Sequence, residues 1–154
     1  MTRWLSEDEQ RSWRAFLEAM RLLQAGLDAQ LQRDADMPHA YYEILVRLSD
    51  VPERRMRMRE LAEATRSSRS RLTHAVDKLE ARGWVSRQEC PHDRRGQLAV
   101  LTEEGFRVLA AAAPGHVEAV RATLLDALTP AQVAQLGRIS EAVVAHAAPH
   151  TGSC

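Results

Sequence analysis

The sequence has few of the features that mark secreted, membrane-spanning or polybasic proteins. Its 154 residues include two cysteines, Cys90 and Cys154, which lie too far apart in the chain to suggest a disulfide framework. No apolar run reaches the ~18 residues of a transmembrane helix, and the first residues lack the apolar segment of a signal peptide. The formal net charge is zero, which argues against a protein that coats any polyanion. We therefore expect one domain, in the cytoplasm, with no membrane partner.

Patterns typical of catalytic and metal sites are also missing. The six histidines show no H-E-x-x-H or other zinc spacing. There is no glycine-rich phosphate loop and no Ser-His-Asp candidate. We therefore expect no enzyme activity, no metal and no cofactor. Cys90 lies close to several arginines, so a redox role is an alternative, but we favour an inert thiol.

The charge that is present is concentrated in one segment. Residues 54–95 contain 12 basic and 6 acidic side chains, a local charge of +6, and the rest of the chain carries −6. A short, strongly basic segment is typical of a protein that docks one face on a phosphate backbone.

Apolar spacing and capping residues predict six helices and one β-hairpin. The predicted helices span residues 7–33, 38–49, 59–65, 69–82, 103 to about 128, and 130 to about 146. A strand of one or two residues is predicted at Arg57-Met58, and strands 84–89 and 97–101 flank a turn at 90–96. Pro114-Gly115 predicts a kink or break in the fifth helix.

This order predicts a mainly α fold with a small β-hairpin wing, that is, a winged helix–turn–helix. We expect a single domain, residues 1–154, with the winged helix–turn–helix at about 38–102. Helices at about 7–36 and 103–147 flank it. These flanking helices are more apolar than a lone small module needs, which predicts a homodimer.

The fourth helix divides into an apolar and a polar face. Leu72, Val76 and Leu79 form a stripe that would hold the helix to the domain, while the polar N-terminal residues would reach base edges in a major groove. A solvated helix face is the alternative. The DNA contacts predicted on this helix and the turn before it are Ser67, Ser68, Arg69, Ser70, Arg71, Thr73, His74 and Lys78.

The hairpin turn Asp93-Arg94-Arg95-Gly96 supports the same interpretation. Arginines at a hairpin tip are well placed to enter a minor groove, and Asp93 could order one guanidinium before binding. An ordinary polar turn is the alternative. Helix and hairpin together, within a basic segment, favour double-stranded DNA as the partner.

Two runs of sequence resemble the MarR family of bacterial regulators. They are Met58-Arg59-Glu60-Leu61-Ala62-Glu63-Ala64 followed by residues 67–85, and Asp93-Arg94-Arg95-Gly96-Gln97-Leu98-Ala99-Val100-Leu101-Thr102-Glu103-Glu104-Gly105. The resemblance implies a homodimeric transcriptional regulator, usually a repressor, that binds a pseudo-palindromic operator. It also implies that Arg95 is the minor-groove residue and Asp93 its brace. A module that binds a protein partner instead of DNA is the alternative function.

Relatives in this family often bind small aromatic or phenolic acids between the dimer base and the winged helix. The resemblance therefore suggests a ligand site among residues of the first two helices, although for Trp13 we favour a place in the dimer core. Some relatives sense oxidants through a cysteine on the first helix, which this chain lacks. The candidate ligand-binding residues are Trp13, Arg14, His39, Tyr41 and Tyr42.

Overall fold

The computed structural model describes residues 1–91 and 93–147. For Arg94 and Arg95 it describes the backbone but not the side chains. The described residues form six α-helices and a three-stranded antiparallel sheet of strand order β1-β3-β2, against which α2, α3 and α4 pack. The helices are α1 (Glu7–Ala35), α2 (His39–Ser49), α3 (Met58–Ala64), α4 (Arg69–Ala81), α5 (Glu103–Thr123) and α6 (Pro130–Ala147). The strands are β1 (Arg55–Arg57), β2 (Val85–Cys90) and β3 (Asp93–Leu101). The predicted winged helix–turn–helix is confirmed.

Helix α1 begins where local sequence predicts it. The N–H of Ser6 donates to Oε2 of Glu9 over 2.8 Å, and the N–H of Glu9 donates to Oγ of Ser6 over 3.2 Å. This capping box satisfies amides that have no partner within the helix. The helix ends at Ala35 because Asp36 adopts a left-handed conformation, with φ of 48°.

The helix–turn–helix is closed by two helix-ending turns of the same type. After α3, Arg66 has φ of 51°, and the N–H of Ser67 donates to the carbonyl of Ala62 over 2.9 Å. After α4, Gly83 has φ of 74°, and the N–H of Trp84 donates to the carbonyl of Leu79 over 3.0 Å. Both are Schellman turns. Gly83 confirms the predicted stop, whereas Arg66 adopts the left-handed conformation without the glycine that usually permits it.

The core lies beneath α4 and extends into the sheet and α2. Leu72, Val76 and Leu79, the predicted stripe, are at most 2% exposed. Burying a leucine of this kind contributes roughly 1.5–3 kcal/mol. The stripe belongs to a continuous apolar cluster whose other well-buried members include Leu31, Met37, Leu45, Leu48, Leu61, Val85 and Ala99.

The sheet differs in detail from the prediction. The short strand lies at Arg55–Arg57 instead of Arg57-Met58, because pairing with residues 98–100 of β3 sets its position and Met58 already begins α3. The hairpin turn is shorter than predicted, since β3 starts at Asp93 and a register shift between Glu89 and Cys90 lets Cys90 pair with Asp93.

Helix α5 also differs from its prediction. It ends at Thr123 and not near Leu128, and a 3-10 turn at Leu125–Ala127 follows. The predicted break at Pro114-Gly115 does not occur: the helix continues through Pro114. Packing against α1 supports this segment, since a Cβ on Gly115 would lie 3.4 Å from Nε2 of Gln30.

A close approach at the start of α5 joins three elements. A Cβ on Gly105 would lie 2.1 Å from the carbonyl oxygen of Trp84, so no residue with a side chain fits there. Thr102 caps α5 by accepting from the N–H of Gly105 over 3.0 Å, and its Oγ1 donates to the carbonyl of Gly83 over 2.7 Å. The end of α4 and the base of the hairpin are thereby held to the start of α5.

The terminal helices bury little within one chain. No residue within Pro130–Ala147 of α6 is buried, and only Leu27, Gln30 and Leu31 of α1 are. Large apolar side chains remain exposed on both helices, including Trp13, Phe16, Leu22, Ile139, Val143 and Val144. In the described ranges 1–91 and 93–147, no helix has both the length and the apolarity needed to cross a membrane.

Candidate nucleic-acid interface

The outer face of α4 carries the side chains that the sequence predicted for DNA contact. Because Leu72, Val76 and Leu79 point into the core, the residues between them face solvent, except for Ala75, which packs partly against the core. The predicted residues of α4 that are exposed are Arg69, Ser70, Arg71, Thr73, His74 and Lys78. A buried stripe opposite an exposed polar N-terminal half is the arrangement with which recognition helices read a major groove.

The two serines before α4 have different local roles. Ser68 is the N-cap: its Oγ accepts from the N–H of Arg71 over 3.3 Å and lies 3.5 Å from Oγ of Ser70. Ser67 is half-buried, and its N–H closes the preceding helix. Of the two, Ser68 is therefore the residue that caps α4. The remaining amides at the start of α4 face outward, where they favour an anion such as a phosphate.

A cleft of about 620 Å³ separates α4 from the hairpin. Its basic side chains are Arg57, Arg59 and Arg69, of which only Arg69 was predicted as a contact. Arg57 and Arg59 were missed because they precede the recognition helix, although they belong to the basic segment. Arg59 pairs with Glu63 over 3.2 Å, and Arg57 lies 3.7 Å from Asp93. Because exposed ion pairs of this kind contribute little to stability, Arg57 and Arg59 can leave these carboxylates for phosphates at little cost in free energy.

The hairpin tip is described only in part. Asp93 faces Arg57 from the start of β3, which adds a partner that the sequence did not suggest. The side chains of Arg94 and Arg95 lie outside the described part of the structure, and so does His92. The predicted roles of Arg95 in a minor groove and of Asp93 as its brace therefore stay predictions.

Arg87 on β2 is a residue that the sequence analysis missed. Its Nη1 donates to Oε2 of Glu80 over 2.6 Å, and its Nη2 donates to Oδ1 of Asp77 over 2.6 Å and to the carbonyl of Thr73 over 3.3 Å. Burial acts to lower the pKa of Arg87, but the hydrogen bonds and charges of Asp77 and Glu80 outweigh it and raise the pKa. Asp77, an exposed residue of α4, is thus bound by an arginine of the hairpin.

Two further arginines of the basic segment have structural partners. Arg54 pairs with Glu103 over 3.0 Å and lies 3.8 Å from the centre of the Phe106 ring. Arg82 donates to the carbonyl of Asp36 over 2.6 Å and lies 4.8 Å from the centre of the Trp84 ring. The local charge of +6 is therefore larger than the positive charge available to a binding partner, because Arg54 and Arg82 make contacts within the domain.

The candidate ligand residues do not form one site within a single chain. His39 and Tyr42 of α2 meet His116 of α5, with ring centres 5.5 Å and 4.3 Å from it. Trp13 instead neighbours Phe16, 6.3 Å away, and Arg14 contacts Gln10. At 1.5 Å per residue, Trp13 lies roughly 22 Å along α1 from Asp28, whose carboxylate accepts from the N–H of His39.

Tyr41 is half-buried against the core beside this cluster. His116 was not predicted as a member, because its closest ring partner lies 74 positions earlier in the chain. Burial lowers the pKa of His116, and the charge of His39 adds to the effect. Burial also raises the pKa of Tyr42. His116 lies 3.4 Å from Oε1 of Gln30, so α1, α2 and α5 meet at this cluster.

Cys90 is not in a loop, as the sequence suggested, but ends β2 and is only 4% exposed. A Cβ on Gly96 would lie 2.9 Å from its Sγ. The thiol thus packs against the opposite strand, where an oxidant has little access.

An exposed recognition helix, a preceding helix at its base and an adjacent β-hairpin define a winged helix–turn–helix protein. Comparison with known proteins makes the family specific. The sequence profile of the MarR family matches residues 35–96. The crystal structure of Sco3205, a MarR family transcriptional regulator from Streptomyces coelicolor in complex with DNA, is 53% identical, with a TM-score of 0.94 over 97% of this chain and 94% of that one. The chain belongs to the MarR family.

Two other relatives extend the comparison. AbsC, a MarR family transcriptional regulator from Streptomyces coelicolor, is 42% identical, with a TM-score of 0.89 over 94% of this chain and 97% of its own. The transcriptional repressor MprA of Escherichia coli K12 is 37% identical over 81 residues, or 53% of this chain and 46% of MprA. The match thus spans about half the length of that curated relative. This similarity supports membership of the MarR family. Because it covers about half of MprA, it does not show that the chain shares the activity of MprA.

Proposed function

We propose that this protein is a sequence-specific DNA-binding transcriptional regulator that acts as a homodimer on a pseudo-palindromic operator. The observation that carries the proposal is the exposed N-terminal half of α4, with Arg69 and Arg71 at its start and the buried stripe behind it. Each α4 would enter a major groove, and each hairpin would reach the neighbouring minor groove. The cleft between them carries Arg57, Arg59 and Arg69, which could bind the phosphate backbone that joins the two grooves, although Glu60, Glu63 and Asp93 line it too.

Two observations support a dimer. Exposed apolar side chains run along α1 and α6, and no residue of α6 within Pro130–Ala147 is buried by its own chain. An amphipathic helix of 18 residues, none of them buried within the described part of its own chain, gains stability when a second copy covers it. A two-fold axis would also place two copies of α4 to read an inverted repeat.

The relatives favour DNA over a protein partner. Sco3205, 53% identical to this chain, was solved in complex with DNA, and MprA is named a transcriptional repressor. We therefore favour repression, in which the dimer covers a promoter and blocks transcription. Such a role would place the protein in the bacterial cytoplasm and requires no catalytic step, metal or cofactor.

Selection of duplexes from a random pool by the purified full-length protein tests DNA binding. We expect an inverted repeat whose half-site centres lie about one helical turn, ~10 bp, apart. Fluorescence anisotropy on the selected duplex should show affinity that falls steeply with salt, because arginines displace counterions. A shuffled duplex of the same composition is the control. Equal affinity for both duplexes, independent of salt, would show that the protein does not bind DNA as proposed.

Release by a small aromatic or phenolic acid is the finer part of the proposal. The junction of α1, α2 and α5 supports it, because His39, Tyr42 and His116 bring aromatic and imidazole rings together there. A ligand that prefers the released state ~10-fold contributes about 1.4 kcal/mol per site, so two sites would reduce operator affinity up to ~100-fold. Titration of the protein–operator complex with salicylate and related carboxylates measures it, with His39→Ala as the insensitive variant. Binding unaffected by the whole panel would leave a constitutive regulator.

A further inference from the structure

Arg87 makes every hydrogen bond that joins β2 to α4 within the described residues. Besides its three guanidinium contacts to Glu80, Asp77 and the carbonyl of Thr73, its backbone N–H donates to Oε1 of Glu80 over 3.1 Å. These contacts span two turns of α4. The side chain is only 17% exposed, whereas Asp77 and Glu80 remain 56% and 42% exposed.

This arrangement differs from an ordinary surface ion pair. A planar guanidinium that binds two carboxylates and a carbonyl at once is restricted in direction as well as in distance. The contact is made halfway along the hairpin, since Arg87 pairs with Ala99 of β3 while the base of the hairpin is held separately by Thr102. Arg87 therefore controls the part of the hairpin that lies beyond the base.

Because Arg87 lies partway along β2, a small rotation of the hairpin at this residue displaces the hairpin tip. Cys90, at the end of β2, lies three positions after Arg87, a distance of roughly 10 Å at about 3.3 Å per residue. A tilt of about 10° at Arg87 would move the end of the strand by roughly 2 Å. Contacts in a groove tolerate less than this, because binding groups must be held close to their productive geometry.

We propose that Arg87 is a positioning residue for DNA binding, which sets the angle between the hairpin and α4 through Asp77, Glu80 and the carbonyl of Thr73. This inference rests on the proposed function. Arg87 need not contact DNA itself for this role, because its Nη1 and Nη2 already donate to α4. The two acids, which alone would repel phosphates, become the anchor that lets hairpin and helix enter adjacent grooves together.

The double variant Asp77→Asn/Glu80→Gln tests the proposal by the sign of its effect. If these acids merely repel DNA, replacing them with amides of the same shape tightens binding. If they anchor Arg87, we expect affinity for the selected operator to fall about 10-fold or more. We also expect the dependence on salt to stay that of the unchanged protein, since no phosphate contact is lost. Binding equal to or tighter than that of the unchanged protein overturns the proposal.

Glu104→Gln is the matched control. Glu104 is bound by Arg107 over 2.6 Å on α5, so this variant also frees an arginine from a short ion pair and removes one negative charge. We expect its affinity for the operator to be unchanged. Arg87→Lys keeps the charge but not the planar fork, and we expect it to lose affinity as the double variant does. Operator affinity retained in full by Arg87→Lys contradicts a role in orientation.

Two readouts separate positioning from general destabilisation. On a panel of single-base operator variants, the double variant should lose the A·T-versus-G·C preference at the positions that face the hairpin and keep the base preference at those read by α4. In the free protein, the amide of Gln88, which pairs with β3 next to Arg87, should exchange hydrogen faster while those of the α4 core do not. Unchanged exchange refutes the anchor without reference to DNA, whereas failure of the unchanged protein to bind any selected duplex refutes the proposed function instead.

Discussion

The segment from α2 to β3 (residues 39–101), here called the reading head, and the terminal helices α1 and α6 bury apolar surface in different ways. In the reading head, Leu45, Leu48, Leu61, Leu79 and Val76 have no exposed surface, and all their partners come from the same chain. Along α6, within Pro130–Ala147, no residue is buried. One chain therefore completes the core of its reading head, to which Leu31 of α1 also belongs, whereas apolar side chains elsewhere on α1 and along α6 stay exposed, and we propose that a second copy covers them. We therefore expect that different substitutions will change the folding stability of the reading head and the assembly of the proposed dimer.

The largest effect is expected from a cavity in the core of the reading head. Leu79→Ala removes a fully buried side chain from α4 and should lower the free energy of unfolding by about 2–5 kcal/mol. Urea denaturation at fixed protein concentration measures it. Lys78→Ala, on the exposed side of the same helix, should change the value by less than about 0.5 kcal/mol. Similar losses for both variants would mean that α4 does not depend on its buried stripe.

A negative charge introduced on the exposed face of α6 should dissociate the proposed dimer without unfolding the reading head. Ile139 is 62% exposed in one chain, and Ile139→Asp would bury an unpaired carboxylate if a second copy covers it. We expect the dimer dissociation constant to rise about 100-fold, or 2.7 kcal/mol. Sedimentation should then show a shift from about twice 17.3 kDa to the monomer mass of 17.3 kDa, with the helical signal of the head retained. An unchanged dimer would place the interface elsewhere.

Within the reading head, single substitutions should distinguish a residue that recognises a base in the major groove from one that binds the minor groove with little sequence preference. Arg71→Ala should cost about 1–3 kcal/mol and relax preference at one base position, if Arg71 reads a base edge. Arg95→Ala should weaken binding across all sequences, because a minor groove offers little beyond A·T versus G·C. Affinities on a panel of single-base operator variants distinguish the two. A preference profile unchanged by Arg71→Ala would assign that residue to the phosphate backbone.

The smallest effect is expected at the cluster where head and terminal helices meet. His116 has a pKa lowered from the usual 6.5, first by burial and then by the charge of His39. Because its folded pKa lies below the unfolded one, its neutral form contributes stability above pH 6.5, which is lost as the pH falls from 6.5 through the folded pKa. Tyr42 and Gln30 also face it, and Asp28 and Asp34 lie nearby on α1. Thermal unfolding from pH 7.5 to 5 should show the loss, and His116→Gln should reduce it. An equal pH dependence in both proteins would assign the loss to other groups.

Much of the secondary structure was predictable because its signals are local. The capping box of Ser6 and Glu9 marks the start of α1, the apolar spacing of α4 marks its buried face, and Gly83 marks its end. The strand at Arg55–Arg57 was placed two residues too late, and the end of α5 about five residues too far along. Both depend on long-range packing: β1 exists only by pairing with β3, some 40 positions later.

The sequence by itself determined the order of elements, the buried face of α4 and the resemblance to the MarR family, since periodicity, caps and short motifs are read within a few residues. Only the tertiary structure decided what each arginine of the basic segment does. Arg54 is held by Glu103, Arg82 by Asp36 and Arg87 by Asp77 and Glu80, whereas Arg69 and Arg71 stay exposed at the start of α4. A charge count treats these side chains alike. They differ because an ion pair needs two groups within about 4 Å, and the chain brings together partners that stand as many as 49 positions apart only when it folds.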